Sequence, residues 1–408
     1  MRKHYFVLTA FCAAAVRAGL ALAAPLDCAE PDQATAARCA WRNHPAVAIA
    51  AADVRMSVAR AQLARLAVPS PPQVGATAGP RLADRAEFSW SVAVTQEIEL
   101  GNQRESRVRG AESALAANQW RAQATRRHVA AVALAAYFEA LTARDLVVLA
   151  QWAVAVAEDN ARAAKARAGA TLAPALAADI AEFAAVGARQ ESIAAEQRYR
   201  VARIALGTLI GHPAPVPAGE LLPLPAPATA TADRPEIVAF QAELAGQAAQ
   251  AETLRRARTP NVSVGVFAQR GAANETTIGV ALNAALPVAR RIDGELAEQV
   301  AALAKVEVGL AAAQREQVQE RAASLEVWQQ RSRAAAAYTG DSIARARQLL
   351  LAMATQIRAG ELGIRDGVTA QQALLAHLQA AVRAKGELCQ ASVALALAHG
   401  AKLAAEDP

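Results

Sequence analysis

The stretch that decides the fold is "RAGELGIRDGVTAQQALL", Arg358 to Leu375, in which one helical pattern ends at a glycine and another begins. The same tripeptide stands 191 residues earlier, at Arg167 to Gly169, within "KARAGATLAPALAADIAEFA". Glycine ends a helix readily because it takes left-handed backbone angles without a steric penalty. We therefore predict two antiparallel helical hairpins, one turning at Gly169 and the other at Gly360.

The two bends belong to a longer internal duplication. Pro45 and Pro235 open corresponding helical patterns 190 residues apart, and Gly211 and Gly400 close the two halves 189 residues apart. Offsets that stay this constant over such a distance indicate a repeated structural unit.

The duplication divides the chain into a leader, two repeats and a linker. The linker at 212–235 holds seven prolines, which favours an extended conformation. Each repeat is expected to contain a helix, a β-hairpin, a long helix, a tip and a returning helix. The expected boundaries are 1–23 for the leader, 24–211 and 236–408 for the repeats, about 72–97 and 261–286 for the hairpins, and about 167–174 and 359–366 for the tips.

Composition favours long helices over an ordinary globular core. Hydrophobic residues make up 54% of the 408 positions but aromatic residues only 4%, so alanine supplies most of the apolar count. Alanine is the best helix former, and its small side chain lets helices approach closely. The stretches 102–167 and 294–358 are each expected to form one continuous rod of roughly 100 Å, at about 1.5 Å per residue.

Four short segments alternate apolar and small or polar residues, as strands with one apolar face do. The clearest are 88–95, 262–267 and 278–283, and 73–79 is a weaker fourth. Four strands cannot close a membrane barrel, which needs about eight or more, and an open sheet edge in lipid is prohibitive. If the hairpins cross a membrane, several chains must contribute strands to one barrel.

The N-terminus has the features of a secretory signal. Arg2 and Lys3 precede an apolar stretch, and Ala21-Leu22-Ala23 gives the small-x-small pattern that comes just before a cleavage position. Cleavage after Ala23 lowers the formal net charge from +6 to +3, because Arg17 is removed as well. That charge is small and interleaved with acids, so we expect no nucleic-acid partner.

Few residues suggest chemistry. Cys28 and Cys39 lie 11 residues apart in a chain expected to be exported, which permits a disulfide between them. No histidine is paired with a cysteine or an acid at ligand spacing, and no phosphate loop or nucleophile motif occurs. We therefore expect no enzyme activity, no catalytic residue, no cofactor and no metal site.

Three segments carry a resemblance to the TolC-type outer-membrane efflux channel family. "QEIELGNQRESRV", Gln96 to Val108, is similar to the family's junction between second strand and long helix, and most like the cobalt–zinc–cadmium branch. "ALPVARRIDGELAEQ", Ala285 to Gln299, resembles the counterpart in the second repeat. The Arg358 to Leu375 stretch resembles the family's tip turn, whereas the first tip lacks the usual acid after its proline.

The resemblance implies a mainly α fold with a small β part. Four transmembrane strands per chain and long helical hairpins would form a homotrimer with a β-barrel in outer-membrane lipid and an α-barrel tunnel across the periplasm. The implied partners are a periplasmic adaptor of the membrane-fusion type and an inner-membrane pump of the RND type.

The resemblance also assigns roles to residues at the two tips. It implies a channel constriction at Asp366, with Glu361 and Arg365 beside it, and adaptor-docking tips at Gly169, Thr171, Gly360 and Leu362. The alternative for Asp366 is a structural one, since a carboxylate near a helix N-terminus is favourable. Arg104, Arg107 and Arg109 either line the tunnel or form a solvated helix face.

The expected function is the exit duct of a tripartite efflux system, with divalent heavy-metal cations as the leading cargo. Drugs, organic solvents and secreted proteins are the alternative cargoes. A soluble periplasmic coiled-coil adaptor is a different class that shares the helical hairpins. An adaptor, however, is not expected to carry two apolar-faced β-hairpins at equivalent places of a repeat.

Overall fold

The computed structural model describes residues 27–68, 70–82, 86–169, 175–227, 234–271, 275–284, 291–401 and 403. The expected leader at 1–23 lies outside the described residues.

Eight helices are described, four in each half of the chain. The first four are α1 (Gln33–Asn43), α2 (Pro45–Ala64), α3 (Gln103–Gly169) and α4 (Ala175–Ile210). The second four are α5 (Pro235–Arg256), α6 (Arg291–Ala336), α7 (Gly340–Ala359) and α8 (Ile364–His399). Helix α3 is continuous over 67 residues, which gives a rod of about 100 Å. Within the described ranges, no helix combines the length and apolarity that crossing a membrane requires.

The expectation of one continuous second rod over 294–358 is wrong, because the helix breaks between α6 and α7. Thr339 adopts extended backbone angles and its side chain accepts a hydrogen bond from the backbone N–H of Ser342. A threonine hydroxyl that caps a helix start in this way offers the backbone an alternative to continued helix. Tyr338, next to the break, packs against the ring of His377 on α8 with centroids 5.1 Å apart.

The four strands form one antiparallel sheet in the order β1 (Gln73–Leu82), β2 (Ala86–Ile98), β3 (Val262–Arg270) and β4 (Thr276–Ala284). The pairing aligns Val74, Val94, Val266 and Val280 in one row across all four strands. The alternation seen in the sequence therefore produces one apolar face.

That apolar face is uncovered in the single chain. Ile278 is 79% exposed, Val280 72% and Val74 71%. The opposite face carries the row Thr77, Ser91, Gln269 and Thr277, and the hydroxyls of Thr77 and Ser91 lie 2.7 Å apart. The sheet is thus apolar on one side and polar on the other.

The largest core lies around the middle of α3, against α1, α4 and α8. Tyr137 and Phe138 are fully buried there. The Tyr137 hydroxyl donates to the carbonyl of Ala218 at 2.5 Å, so the proline-rich segment packs against the core. Cys28 and Cys39 are joined by a disulfide with Cα atoms 6.1 Å apart, which ties the N-terminal segment to α1.

Candidate functional site at the helical tips

The bend between α7 and α8 is built on Gly360. Its φ of +90° lies in the left-handed region that favours glycine. The N–H groups of Gly360 and Glu361 both donate to the carbonyl of Gln356 at 3.0 Å, which satisfies the end of α7. The prediction of a left-handed glycine turn is confirmed at this tip.

The same prediction is wrong for Gly169. It is the last residue of α3, and it is not among the glycines with positive φ. It is exposed, and a Cβ added there would meet no atom within 4 Å among the described residues. Thr171 lies outside the described residues. The repeated tripeptide therefore does not produce the same backbone conformation twice.

Arg167 connects the two tips. Its guanidinium donates to the carbonyl of Ile357, and also to that of Arg358 at 3.3 Å, at the C-terminal end of α7. A cation at a helix C-terminus satisfies free carbonyls and interacts favourably with the helix dipole. Gly360 leaves room for it, since an added Cβ would lie 3.1 Å from an Arg167 Nη atom.

A small apolar cluster fills the space between the tips. It is formed by Ala164, Ala178, Ala181, Ile357, Ile364 and Val368, with Leu362 packed against it. A Cβ on Gly367 would lie 2.4 Å from the Ile357 Cδ1 atom, so only glycine permits this approach of α8 to α7. Leu362 thus contributes to the core of the tip, which limits how much of its side chain is available for docking.

The charged residues of the second tip remain in solvent. Glu361 lies in the turn, whereas Arg365 and Asp366 lie in the first turn of α8, and all three are exposed. Gly363 is the N-cap residue and, as a glycine, supplies no side-chain cap to α8. The Asp366 Oδ2 atom lies 3.6 Å from the position of a Cβ on Gly363, so the carboxylate sits at the start of α8, where the helix dipole favours it.

The structure also brings together a buried polar pair that the sequence did not indicate. The Asn160 side chain on α3 donates to the Gln371 side chain on α8. The two residues are 3% and 2% exposed, and the Gln371 Nε2 atom lacks a partner among the described residues. A buried amide that keeps a free donor is costly, so this pair is a point where helix packing near the tip is sensitive to change.

The junction between sheet and long helix has a structural role. Arg107 pairs with the nearly buried Glu99 at 2.9 Å, and Arg104 donates to the carbonyl of Arg65 at 2.6 Å. Both arginines also donate to the carbonyl of Leu66. These contacts hold the C-terminal end of α2 against the start of α3. That Arg104, Arg107 and Arg109 line a tunnel stays a prediction.

Across the described residues, no cluster of three or more histidine, cysteine, aspartate or glutamate side chains could hold a metal ion. The segment that carries the cobalt–zinc–cadmium resemblance, Gln96 to Val108, joins the sheet to α3 and makes structural contacts through Arg104 and Arg107.

Known proteins resemble this chain in two ways. The family model described as outer membrane efflux protein matches residues 39–212. A comparison with curated proteins found no match. The first repeat therefore carries the sequence pattern of outer membrane efflux proteins over most of its length.

Solved structures resemble nearly the whole chain. A structure of CusC, described for its transmembrane channel formation, has a TM-score of 0.75 at 15% identity and covers 94% of this chain and 96% of its own. The Campylobacter jejuni CmeC outer membrane channel gives 0.75 at 16%, covering 90% and 85%. The open Neisseria gonorrhoeae MtrE outer membrane channel gives 0.76 at 19%, covering 92% and 90%.

These likenesses define the class of fold. The chain has the fold of outer-membrane channel proteins, with both repeats included.

Proposed function

We propose that this chain is an outer-membrane efflux channel, the exit duct of a tripartite system, and that it works as a homotrimer. The observation that carries the proposal is the joining of an apolar-faced sheet to long helices in two repeats, namely α3 of about 100 Å in the first and the successive helices α6 and α7 in the second. Three chains would supply enough strands to cover the open edges of β1 and β4. The channel catalyses no reaction, because the transport energy comes from the pump.

Assembly is the first test. Light scattering of the purified protein in detergent is expected to give the mass of three chains. A stable, folded monomer with its sheet edges exposed would contradict the proposal. A protein that stays in the periplasmic fraction without detergent would favour the adaptor class.

Within this proposal, Asp366 forms the channel constriction, with Glu361 and Arg365 beside it. Three copies of an exposed carboxylate around one axis would attract cations and repel anions in a narrow passage. Screening by salt weakens such a ring, so selectivity should fall as ionic strength rises. The exposed position of Asp366 in the first turn of α8, directly after the bend, supports this assignment.

Planar-bilayer recordings test the constriction. The wild-type channel is expected to prefer cations and to be blocked by multivalent cations from the periplasmic side. Asp366→Asn keeps the side-chain shape and should lose both properties. Glu361→Gln and Arg365→Gln are matched controls that change the charge five residues and one residue away from Asp366. If Asp366→Asn keeps both properties and Glu361→Gln loses them, the constriction lies at Glu361.

We further propose that the tips around Gly169, Thr171, Gly360 and Leu362 dock a membrane-fusion adaptor, which connects the channel to an RND-type pump. Exposed Gly169 and Glu361 support an accessible tip. Site-specific photocrosslinking from position 169 should capture the adaptor encoded by the host, whereas a probe at position 201, which is 60% exposed on α4 and far from the tip, should not. Equal capture from both positions would contradict docking at the tips.

The proposed cargo is divalent heavy-metal cations, on the strength of the Gln96 to Val108 resemblance and the exposed acids of the tip. Deletion of the gene should sensitise the host to cobalt, zinc or cadmium, and the wild-type gene should restore tolerance. Sensitivity to drugs or solvents with unchanged metal tolerance would support the alternative cargo instead.

A further inference from the structure

Arg167 has an equivalent arginine in the second repeat, and that arginine does not make the corresponding contact within the single chain. Arg358 corresponds to Arg167 at the offset of 191 that relates the tips. Arg358 is exposed, and its Nε donates only within its own helix, to the carbonyl of Ala354 at 3.2 Å. Its two terminal guanidinium nitrogens have no hydrogen-bond partner among the described residues.

The repeat offset indicates which carbonyl groups would accept hydrogen bonds from the Arg358 guanidinium. Arg167 binds the carbonyls of Ile357 and Arg358. Subtracting 191 from those positions gives Ala166 and Arg167, at the C-terminal end of α3. Within one chain, Arg167 of the first repeat thus binds the second repeat. The equivalent contact of Arg358, which lies in the second repeat, must be made with the first repeat of another copy.

The helix faces that would meet in such a contact between copies, on α6 and α2, are uncovered in the single chain. Helix α3 packs against the second-repeat helices α5 and α8. In that contact Gly110 and Gly246 approach closely, since an added Cβ on Gly246 would lie 3.6 Å from the Gly110 carbonyl oxygen. At an offset of 190 their counterparts are Val300 on α6 and Met56 on α2, which are 45% and 51% exposed.

More large apolar side chains follow the same faces. Val308 and Val318 on α6 are 68% and 67% exposed, and Ile49 on α2 is 63% exposed. Large apolar residues in a row along helices that are already folded mark a surface covered by another protein. Since these faces are the repeat equivalents of the contact made inside the chain, the partner they fit is a second copy of this chain.

We propose that Arg358 of each chain caps the C-terminal end of α3 in the neighbouring copy, with its guanidinium on the carbonyls of Ala166 and Arg167. The ring of tips is then closed by two kinds of arginine contact in alternation, one inside each chain through Arg167 and one between chains through Arg358. This inference rests on the homotrimer of the proposed function and adds the contact that holds its tips together.

Cysteine pairs distinguish the two contacts. Ala166→Cys with Arg358→Cys probes the contact between copies and leaves Arg167 in place, and Ala166 is exposed in the single chain. Arg167→Cys with Ala359→Cys probes the contact inside a chain and leaves Arg358 in place. The natural cysteines do not interfere, because Cys28 and Cys39 are bonded to each other and Cys389 is buried.

Each variant is purified as the full chain in detergent, its mass is measured, and it is treated with a bifunctional thiol reagent about as long as an arginine side chain. On denaturing gels without reductant, the first pair should give linked dimers and trimers, whereas the second pair should run as a monomer. A particle of trimer mass in which the first pair yields only monomer would overturn the inference and leave the channel assignment standing.

A particle of monomer mass would overturn both. Linkage between copies by the second pair would also overturn the inference, because the contact inside the chain is its starting point. Arg358→Ala adds a second readout: tryptic cleavage at the tips should become at least several-fold faster in the trimer, and Arg358→Lys should restore little of the protection, since lysine cannot reach two carbonyls with a planar fork. Unchanged cleavage of Arg358→Ala would contradict the proposed contact.

Discussion

Substitution of Gly360 by alanine should loosen one tip of the molecule, whereas the same change at Gly169 should not. Gly360 has φ +90°, and a side chain in this left-handed region costs about 1–2 kcal/mol. The new Cβ would also lie 3.1 Å from the Arg167 guanidinium. If Arg167 moves off the Ile357 carbonyl, the loss of a charged hydrogen bond adds about 1.5–3 kcal/mol.

Hydrogen–deuterium exchange of the purified protein measures this effect locally. The N–H groups of Gly360 and Glu361 are held by the Gln356 carbonyl. Strain of about 1–2 kcal/mol should speed exchange in peptides covering 356–364 by about 5- to 30-fold. Gly360→Asn should give a smaller increase, because asparagine tolerates left-handed angles better than alanine.

Gly169→Ala is the matched control. Gly169 ends a helix without a positive φ, and no atom of the described residues lies within 4 Å of an added Cβ. Alanine there should leave exchange unchanged or slower, given its better helix propensity. Equal acceleration by both substitutions, or none by Gly360→Ala, would refute the reasoning from backbone strain.

Three further predictions concern the rest of the chain. Gly386→Ala should lower the unfolding free energy by about 1–3 kcal/mol in urea titrations followed by circular dichroism, because the new Cβ would lie 2.2 Å from the Thr142 hydroxyl; Thr142→Ala should restore most of the loss, and failure to do so would contradict it. Burial raises the pKa of the Cys389 thiol to about 12, so maleimide should label Cys389 only after denaturation, and rapid labelling of the folded protein at neutral pH would disprove its burial. Hydrogen bonds from the Thr35 side chain and backbone lower the pKa of the Asp32 carboxyl in the folded protein. The stability that these bonds contribute is therefore present above the unfolded pKa and is lost as the pH falls through the folded pKa. Asp32→Asn, which cannot titrate, should show a weaker loss of stability on acidification, and a pH profile identical to that of the wild type would count against the cap.

Much of the architecture follows from local sequence patterns. Period-two alternation at 262–267 and 278–283 predicts strands, because successive side chains on a strand point to opposite faces. Alanine-rich composition and the repeat offset predict long helices in two equivalent halves. These features depend on neighbours in the chain, and the pairing of β1 to β4 and the extent of α3 agree with them.

Other features depend on residues that meet only after the chain has folded. The tripeptides that end at Gly169 and Gly360 are identical, yet of these two glycines only Gly360 has left-handed backbone angles. At Gly360 the backbone N–H donates to the Gln356 carbonyl, and Arg167 binds the nearby Ile357 carbonyl. The helix break at Thr339 was not predicted, because its only local signal is a single threonine cap. The sequence on both sides of that threonine has strong helix propensity.

The sequence by itself determined the class of fold, the duplication and the presence of a glycine turn at the second tip, since each follows from side-chain periodicity or from the backbone freedom of one residue type. Only the tertiary structure decided that Arg167 caps α7, that Glu99 and Arg107 lock the junction, and that Asn160 meets Gln371 across 211 residues. The physical reason is that hydrogen bonds and ion pairs between distant segments are set by how the helices pack, and packing depends on the whole set of side chains rather than on any local pattern.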